Sequence, residues 1–208
     1  MNINNKLHKF LFWFLSYTWG IIMTLIGSFV AVFLLITGHK PHRFGWDVCF
    51  LVGKYWGGLS FGPFILTDSL DDYSVKCHEH GHSLQNIVLG PLFPFLVGIP
   101  SSLRYWVRKR PNFESKYRFA MLVATILIGL SAIGLIVSVL SNIPLTYSTI
   151  FTSIFTVLLA YTSILSLWLI EEVNKYEDGK EFPLYDDFYP EGDATKRGTK
   201  FIKNEKRS

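Results

Sequence analysis

Apolar residues along this chain are gathered into a few long blocks rather than spread at the short periods of a soluble core. No charged residue occurs from Phe10 to Gly38, and none from Phe119 to Ile170. A bilayer-spanning helix needs about 20 predominantly apolar residues. The first block is therefore long enough to cross once, as a helix over Phe10 to Thr37. The second is long enough to cross twice, as a helical hairpin over Arg118–Leu140 and Thr146–Ile170 with its tip at Ser141-Asn142-Ile143-Pro144. Lys6 and Lys9 before the first block also suit a secretory leader. Its apolar stretch exceeds the roughly 7–15 residues of a cleaved leader, however, and no small-x-small site follows it, so a retained anchor is expected.

Between the blocks the pattern changes. Trp46–Val52 and Leu59–Leu66 are rich in β-branched and aromatic residues, and Gly53, Gly57 and Gly58 punctuate the gap, which predicts an antiparallel β-hairpin. Asp68, Ser69, Asp71, Asp72 and Ser74 are helix-starting residues, and they predict a helix from about Asp72 to Leu89 that stops at Gly90-Pro91. Beyond it, Pro91–Pro100 is apolar but broken by Pro91, Pro94, Gly98 and Pro100, which suits a re-entrant or interfacial segment. The expected fold is a mainly α integral membrane protein. It has three transmembrane helices (one N-terminal anchor and one helical hairpin) and a small α+β metal-site region. Its regions are 1–43, the anchor; 44–117, the hairpin, the polar helix and the interfacial segment; 118–170, the membrane hairpin; and 171–208, a polar C-terminal region with a basic tail.

Charge adds an orientation. The net charge of +4 is modest. Arg104, Arg108, Lys109, Arg110, Lys116 and Arg118 stand directly before the second apolar block, where positive charge marks the cytoplasmic side. A multi-pass protein of the cell membrane with cytoplasmic hairpin ends is expected, with the lipid bilayer as partner. No stripe of basic and exposed aromatic residues supports a nucleic-acid partner. Cys49 and Cys77 are too few for a disulfide framework.

Chemistry is concentrated in Cys77-His78-Glu79-His80-Gly81-His82. Two histidines four residues apart share one helix face, and both imidazoles can reach one tetrahedral ion. The glutamate after the first histidine is then placed to take a proton from metal-activated water. Zinc suits such a donor set. The same face continues with Gln85 and Asn86. His80 points elsewhere and is expected on the helix surface or against substrate. His39 and His42 are expected at the membrane edge, and Cys77 as a small buried residue. A catalytic zinc site needs a third protein ligand and an open position. The acidic, aromatic segment Tyr185–Thr195 stands out as its source, and Glu191 opens a short Glu-Gly-Asp-Ala-Thr pattern that suits a helix start.

His78–His82 together with Glu191–Thr195 resembles the gluzincin class of zinc metallopeptidases, which take a third ligand from a later helix. The chain looks most like uncharacterised bacterial membrane proteins that pair His-Glu-x-Gly-His with Glu-Gly-x-Ala-Thr. Gly62-Pro63-Phe64 and Ile99-Pro100-Ser101 resemble further segments of those proteins, and the likeness covers most of residues 10–108 and 183–200. It implies metal ligands His78, His82 and Glu191, with Glu79 as general base. The position of the gluzincin aspartate that orients the first histidine falls on Thr195, a weaker acceptor. The implied activity is hydrolysis of a peptide bond in a peptide or protein substrate. That substrate would be laid as a strand along Leu59–Leu66, with Tyr185 or Tyr189 near the oxyanion. A metal used purely as a structural clasp, and an intramembrane protease of the site-2 type, are the alternatives. An even number of membrane passes between residues 82 and 191 is what lets the two halves of such a site meet on one side.

Overall fold

The structure, a computed structural model, describes residues 6–140, 144–175 and 185–205. The hairpin tip at Ser141–Ile143, the Asp178-Gly179 stretch and the basic residues Lys206 and Arg207 lie outside the described residues. The chain forms two compact units, Met1–Ile99 with Tyr185–Ser208, and Pro100–Leu184.

In the first unit the N-terminal apolar block is not one helix. It forms α1 (Lys6–Thr18) and α2 (Ile21–Ile36), bent by 95°. The break has a physical cause at Gly20. A Cβ there would lie 2.3 Å from Asn86 Nδ2, and the Asn86 amide donates to the Gly20 carbonyl at 3.2 Å. The next residue back, Trp19, lies over Gly90, whose φ of 56° suits glycine. An apolar run long enough for one helix is thus bent by polar and aromatic partners that lie far along the chain.

A four-stranded sheet follows, in the order β1-β2-β4-β3: β1 (Pro41–Phe44), β2 (Asp47–Leu51), β3 (Gly58–Phe61) and β4 (Phe64–Thr67). The expected hairpin of Trp46–Val52 with Leu59–Leu66 is corrected here. The second run folds back on itself, because Gly62 (φ 59°) and Pro63 make a two-residue turn. Its halves β3 and β4 pair antiparallel with each other, and β4 then lies parallel to β2, with Val48 opposite Phe64 and Leu51 opposite Thr67. Asp68 closes the loop before β3 by accepting from the Trp56 and Gly57 amides at 2.6 and 2.9 Å. Those bonds hold its carboxyl below the usual carboxylate range. β4 is consequently central and buried, while β3 is an edge.

The polar helix α3 (Tyr73–Leu89) has the expected limits. Asp72 caps it by accepting from the Val75 amide at 3.0 Å, and Gly90 ends it. Beyond it, Gly90–Leu92 forms a 3-10 turn and Pro94–Gly98 a π-helical turn. The helix breakers thus prevent a continuous apolar rod. The last helix of this unit, α7 (Glu191–Glu205), begins at Glu191.

The second unit contains α4 (Ile99–Arg108) from Pro100 onward, α5 (Phe113–Leu140) and α6 (Leu145–Asn174). Both α5 and α6 are long and apolar enough to cross a membrane, and up to four spans result if each of two bent pairs counts as one. At 28 residues α5 is about 42 Å long. The hairpin reverses the usual inside-out order of a soluble protein. Leu122, Leu130, Ile133, Val137, Val157, Ile164 and Leu167 are exposed, whereas Ala120, Ala124, Ser131, Ser138, Thr162 and Ser166 are buried along the seam. Ser131 and Thr162 hydroxyls meet at 3.2 Å, and Gly134 makes room for the Phe155 ring. Small and hydroxylated residues at a close helix contact are what apolar surroundings favour. At the charged end, buried Arg104 pairs with Glu172 at 3.3 Å, and Lys175 reaches the same glutamate at 2.8 Å.

Candidate metal centre

Close approach of α3 and α7 builds the site. A Cβ on Gly81 would lie 1.9 Å from the Ala194 carbonyl oxygen, and one on Gly198 would lie 1.8 Å from the Cys77 carbonyl oxygen. Cys77 and Gly81 are one turn apart on α3, as are Ala194 and Gly198 on α7, so two rows of small residues bring the backbones together. This contact delivers Glu191, at the start of α7, onto the histidine face of α3. The partial positive charge of a helix N-terminus favours a carboxylate at that point, although the Glu191 side chain is fully buried.

Three ligand-type atoms converge there. His78 Nε2 lies 3.0 Å from Glu191 Oε2, His82 Nε2 lies 3.2 Å from the same oxygen, and the two ring nitrogens are 3.1 Å apart. A tetrahedral ion at about 2.0–2.1 Å from each ligand sets neighbouring ligand atoms about 3.3 Å apart. The triangle therefore has the size of one face of such a tetrahedron, and the His-His-Glu group could hold a metal ion.

The outer hydrogen bonds decide the protonation of both rings. Gln85 Nε2 donates to the Pro190 carbonyl and to Asp193 Oδ2, both at 2.9 Å. These acceptors fix the amide so that its oxygen faces His82 Nδ1 at 2.8 Å, and that nitrogen must carry the proton. Thr195 donates its hydroxyl proton to Asp186 Oδ1 at 2.9 Å and lies 2.8 Å from His78 Nδ1, so it accepts from that nitrogen. With both Nδ1 atoms protonated, neutral rings present two Nε2 lone pairs to a carboxylate oxygen. Three acceptors this close repel one another unless a cation, either a metal ion or protons, lies among them.

Glu79 lies beside this group and outside the triangle. Burial pushes its carboxyl above the ordinary value, against the pull of His82, His78 and the Ser60 hydroxyl that bonds it. Gly58 at the start of β3 gives it space, since a Cβ there would lie 3.0 Å from Glu79 Oε1. The base-type carboxylate thus abuts the edge strand. On the other side of Glu191, burial raises the Asp193 carboxyl but is outweighed by its bonds to Arg197 and Gln85, which leave it below the usual range.

His80 departs from expectation. It is neither on the surface nor free for substrate, but fully buried, with Nδ1 2.6 Å from Asp47 Oδ2. Its ring packs between Phe201, at 4.0 Å centroid separation, and Trp46 and Phe12. The pair ties α3 to β2. Asp47→Ala should destabilise the fold by about 1–3 kcal/mol, the cost of stranding a buried polar partner. Chemical unfolding of the detergent-solubilised protein would measure it, and a wild-type midpoint would show that the pair contributes nothing.

His42 is exposed on β1, and Cys77 is buried as expected. Tyr189 is exposed, and the Tyr185 side chain lies outside the described residues. Sequence reading passed over the roles of Gln85, Asp186 and Asp193. Gln85 had a usable signal, three residues after His82 on the same helix. Asp47 had none, because its partner lies 33 residues away. The chain matches no protein-family model, no curated protein and no solved structure.

Proposed function

We propose that this is a multi-pass membrane protein with a zinc-dependent, gluzincin-like peptide hydrolase site on its cytoplasmic face. The observation that carries the reading is the triangle of His78 Nε2, His82 Nε2 and Glu191 Oε2, with both Nδ1 protons engaged elsewhere. Two imidazoles and a carboxylate suit zinc. A bound zinc ion supplies a Lewis acid that polarises a carbonyl and acidifies water.

The protein's own groups supply the rest. Glu79, buried beside the triangle, accepts a proton from the attacking water and returns it to the leaving nitrogen. The edge strand β3 offers its backbone to an extended peptide next to Glu79. This narrows the substrate strand from Leu59–Leu66 to Gly58–Phe61, since β4 is already paired on both sides. The exposed apolar surfaces of α5 and α6 favour lipid, and two passes return the chain to the side it left. The basic residues around the start of α5 favour the cytoplasm for that side.

Metal analysis of the full chain in detergent tests the reading. One zinc per chain is expected, with His82→Ala weakening it by more than the roughly 10–100-fold lost when an outer partner of a ligand is removed. Occupancy should also fall on acidification. Burial alone would push the His82 pKa down. Bonding to Glu191 and the charge of Glu79 outweigh it and raise the pKa above the ordinary 6.5, so protons compete with the metal from above that pH downward. A chain that takes up no zinc at neutral pH defeats the proposal.

A structural clasp is the second reading, favoured by the burial of His82 and Glu191, with His78 half-buried beside them, where α3 meets α7. Unfolding on chelation, with no hydrolysis by the zinc-loaded protein, would select it.

A further inference from the structure

Both histidines are backed in the same two-step way. His78 Nδ1 donates to a neutral hydroxyl, Thr195, which donates onward to the Asp186 carboxylate. His82 Nδ1 donates to a neutral amide, Gln85, which donates onward to the Asp193 carboxylate and to the Pro190 carbonyl. The intermediaries come from different helices and different residue types, and each sets a neutral group between a ring Nδ1 and a carboxylate.

We propose that Asp186, through Thr195, and Asp193, through Gln85, are positioning residues that select the tautomer of the two histidines. The proposal rests on the metal reading for its purpose and on the hydrogen-bond directions for its mechanism. A hydroxyl can either donate or accept. Left alone, Thr195 can turn its proton toward His78 Nδ1, which places the ring proton on Nε2 and blocks the atom that faces Glu191. Asp186 accepts only, so it draws the hydroxyl proton outward and leaves Thr195 able only to accept. Gly192 makes this possible, because a Cβ there would lie 2.2 Å from the Asp186 carbonyl oxygen, so the turn carrying Asp186 sits hard against α7. Gln85 faces a similar choice between its oxygen and its nitrogen, and two acceptors settle it.

The arrangement also controls charge. Glu79 and Glu191 are already buried beside the rings. Direct carboxylate partners would add two more negative charges to the same low-dielectric space. Here Asp186 is exposed and Asp193 pairs with Arg197 at 2.5 Å. The rings gain orientation without further buried charge.

Histidine ring 15N shifts of the metal-free full chain in detergent at alkaline pH, together with zinc affinity by chelator competition, test this. The wild type should carry its protons on Nδ1 of both rings. Thr195→Val, which keeps the shape and removes the hydroxyl, should weaken zinc by about tenfold, the low end of the effect of an outer partner. Thr195→Ser should restore wild-type affinity. Asp186→Ala should shift His78 toward the Nε2-protonated form and weaken zinc, with no further loss when added to Thr195→Val. Asp193→Ala should have a smaller effect, because Pro190 still holds the Gln85 amide. Unchanged His78 shifts in Asp186→Ala, or an equal loss in both backgrounds, would overturn the relay and leave the metal site standing. Nδ1-protonated rings in a wild type that binds no zinc would overturn the metal reading and leave the relay intact.

Discussion

Replacing Glu79 with glutamine should lower peptide hydrolysis by roughly 10²–10⁴-fold, the usual contribution of a positioned general base, while zinc stays bound. The separation of these two effects follows from position. The triangle consists of His78, His82 and Glu191, and Glu79 is not among them. Glutamine keeps the shape and can still accept from Ser60, but it cannot take a proton from water. The fold should not suffer either. Burial raises the Glu79 carboxyl pKa, so folding disfavours its charged form relative to water. A carboxyl raised in this way costs stability above its unfolded pKa, and the cost disappears as pH falls through that range. Glutamine removes the penalty at every pH. The measurements are initial rates on an unstructured peptide and zinc content on the same preparation. A variant that cleaves as fast as wild type would sink the general-base assignment, and one that loses its zinc would mean Glu79 is a ligand.

Local signals were legible and long-range ones were not. Asp72 and Gly90 bound α3 in the sequence because a cap and a positive-φ stop act within a few residues of themselves. The charge-free run from Phe119 to Ile170 gave two long helices for the same reason, since length and polarity need no partner. The bend at Gly20 is different. It depends on Asn86 and on Trp19 meeting Gly90, contacts between residues about 70 apart that no local pattern encodes. In the sheet, the largely apolar run Leu59–Leu66 read as one strand because apolar and aromatic residues stand on both sides of Gly62 and Pro63, the two residues that in fact turn the chain. His80 was misplaced because a histidine on a polar helix looks solvent-facing until its aspartate is known. At the site, the spacing of His78 and His82 on a helix was legible in the sequence, and their junction with Glu191 came from likeness to a motif. The relays through Thr195 and Gln85 were not visible, since a weaker acceptor in place of an aspartate reads as a loss until Asp186 is seen behind it.

Gly81→Val should abolish high-affinity zinc binding, by more than about a hundredfold, without altering any ligand. The reasoning runs from backbone distance to ligand geometry. Even the first carbon of a side chain at this position would stand 1.9 Å from the Ala194 carbonyl oxygen, far inside contact distance, and that oxygen belongs to helix backbone and cannot rotate aside. The helices must separate by more than an ångström, and valine adds two further methyl groups. Glu191 is three residues before Ala194 on the same helix, so it moves with the backbone. Ligand sets function only when held to within about 0.5 Å of the productive geometry, and a displaced carboxylate leaves two imidazoles alone. His78 and His82 are both on α3 and keep their mutual spacing, so weak binding by the pair should persist. Gly192→Ala provides the contrast. Its Cβ would strike the Asp186 carbonyl oxygen at 2.2 Å, in a 3-10 turn outside the α3–α7 contact, so it should disturb the Thr195–Asp186 arm and cost far less. Zinc affinities of the two variants, read beside their circular dichroism, decide the point. Equal affinities in Gly81→Val and wild type would mean that the close helix crossing does not set the site.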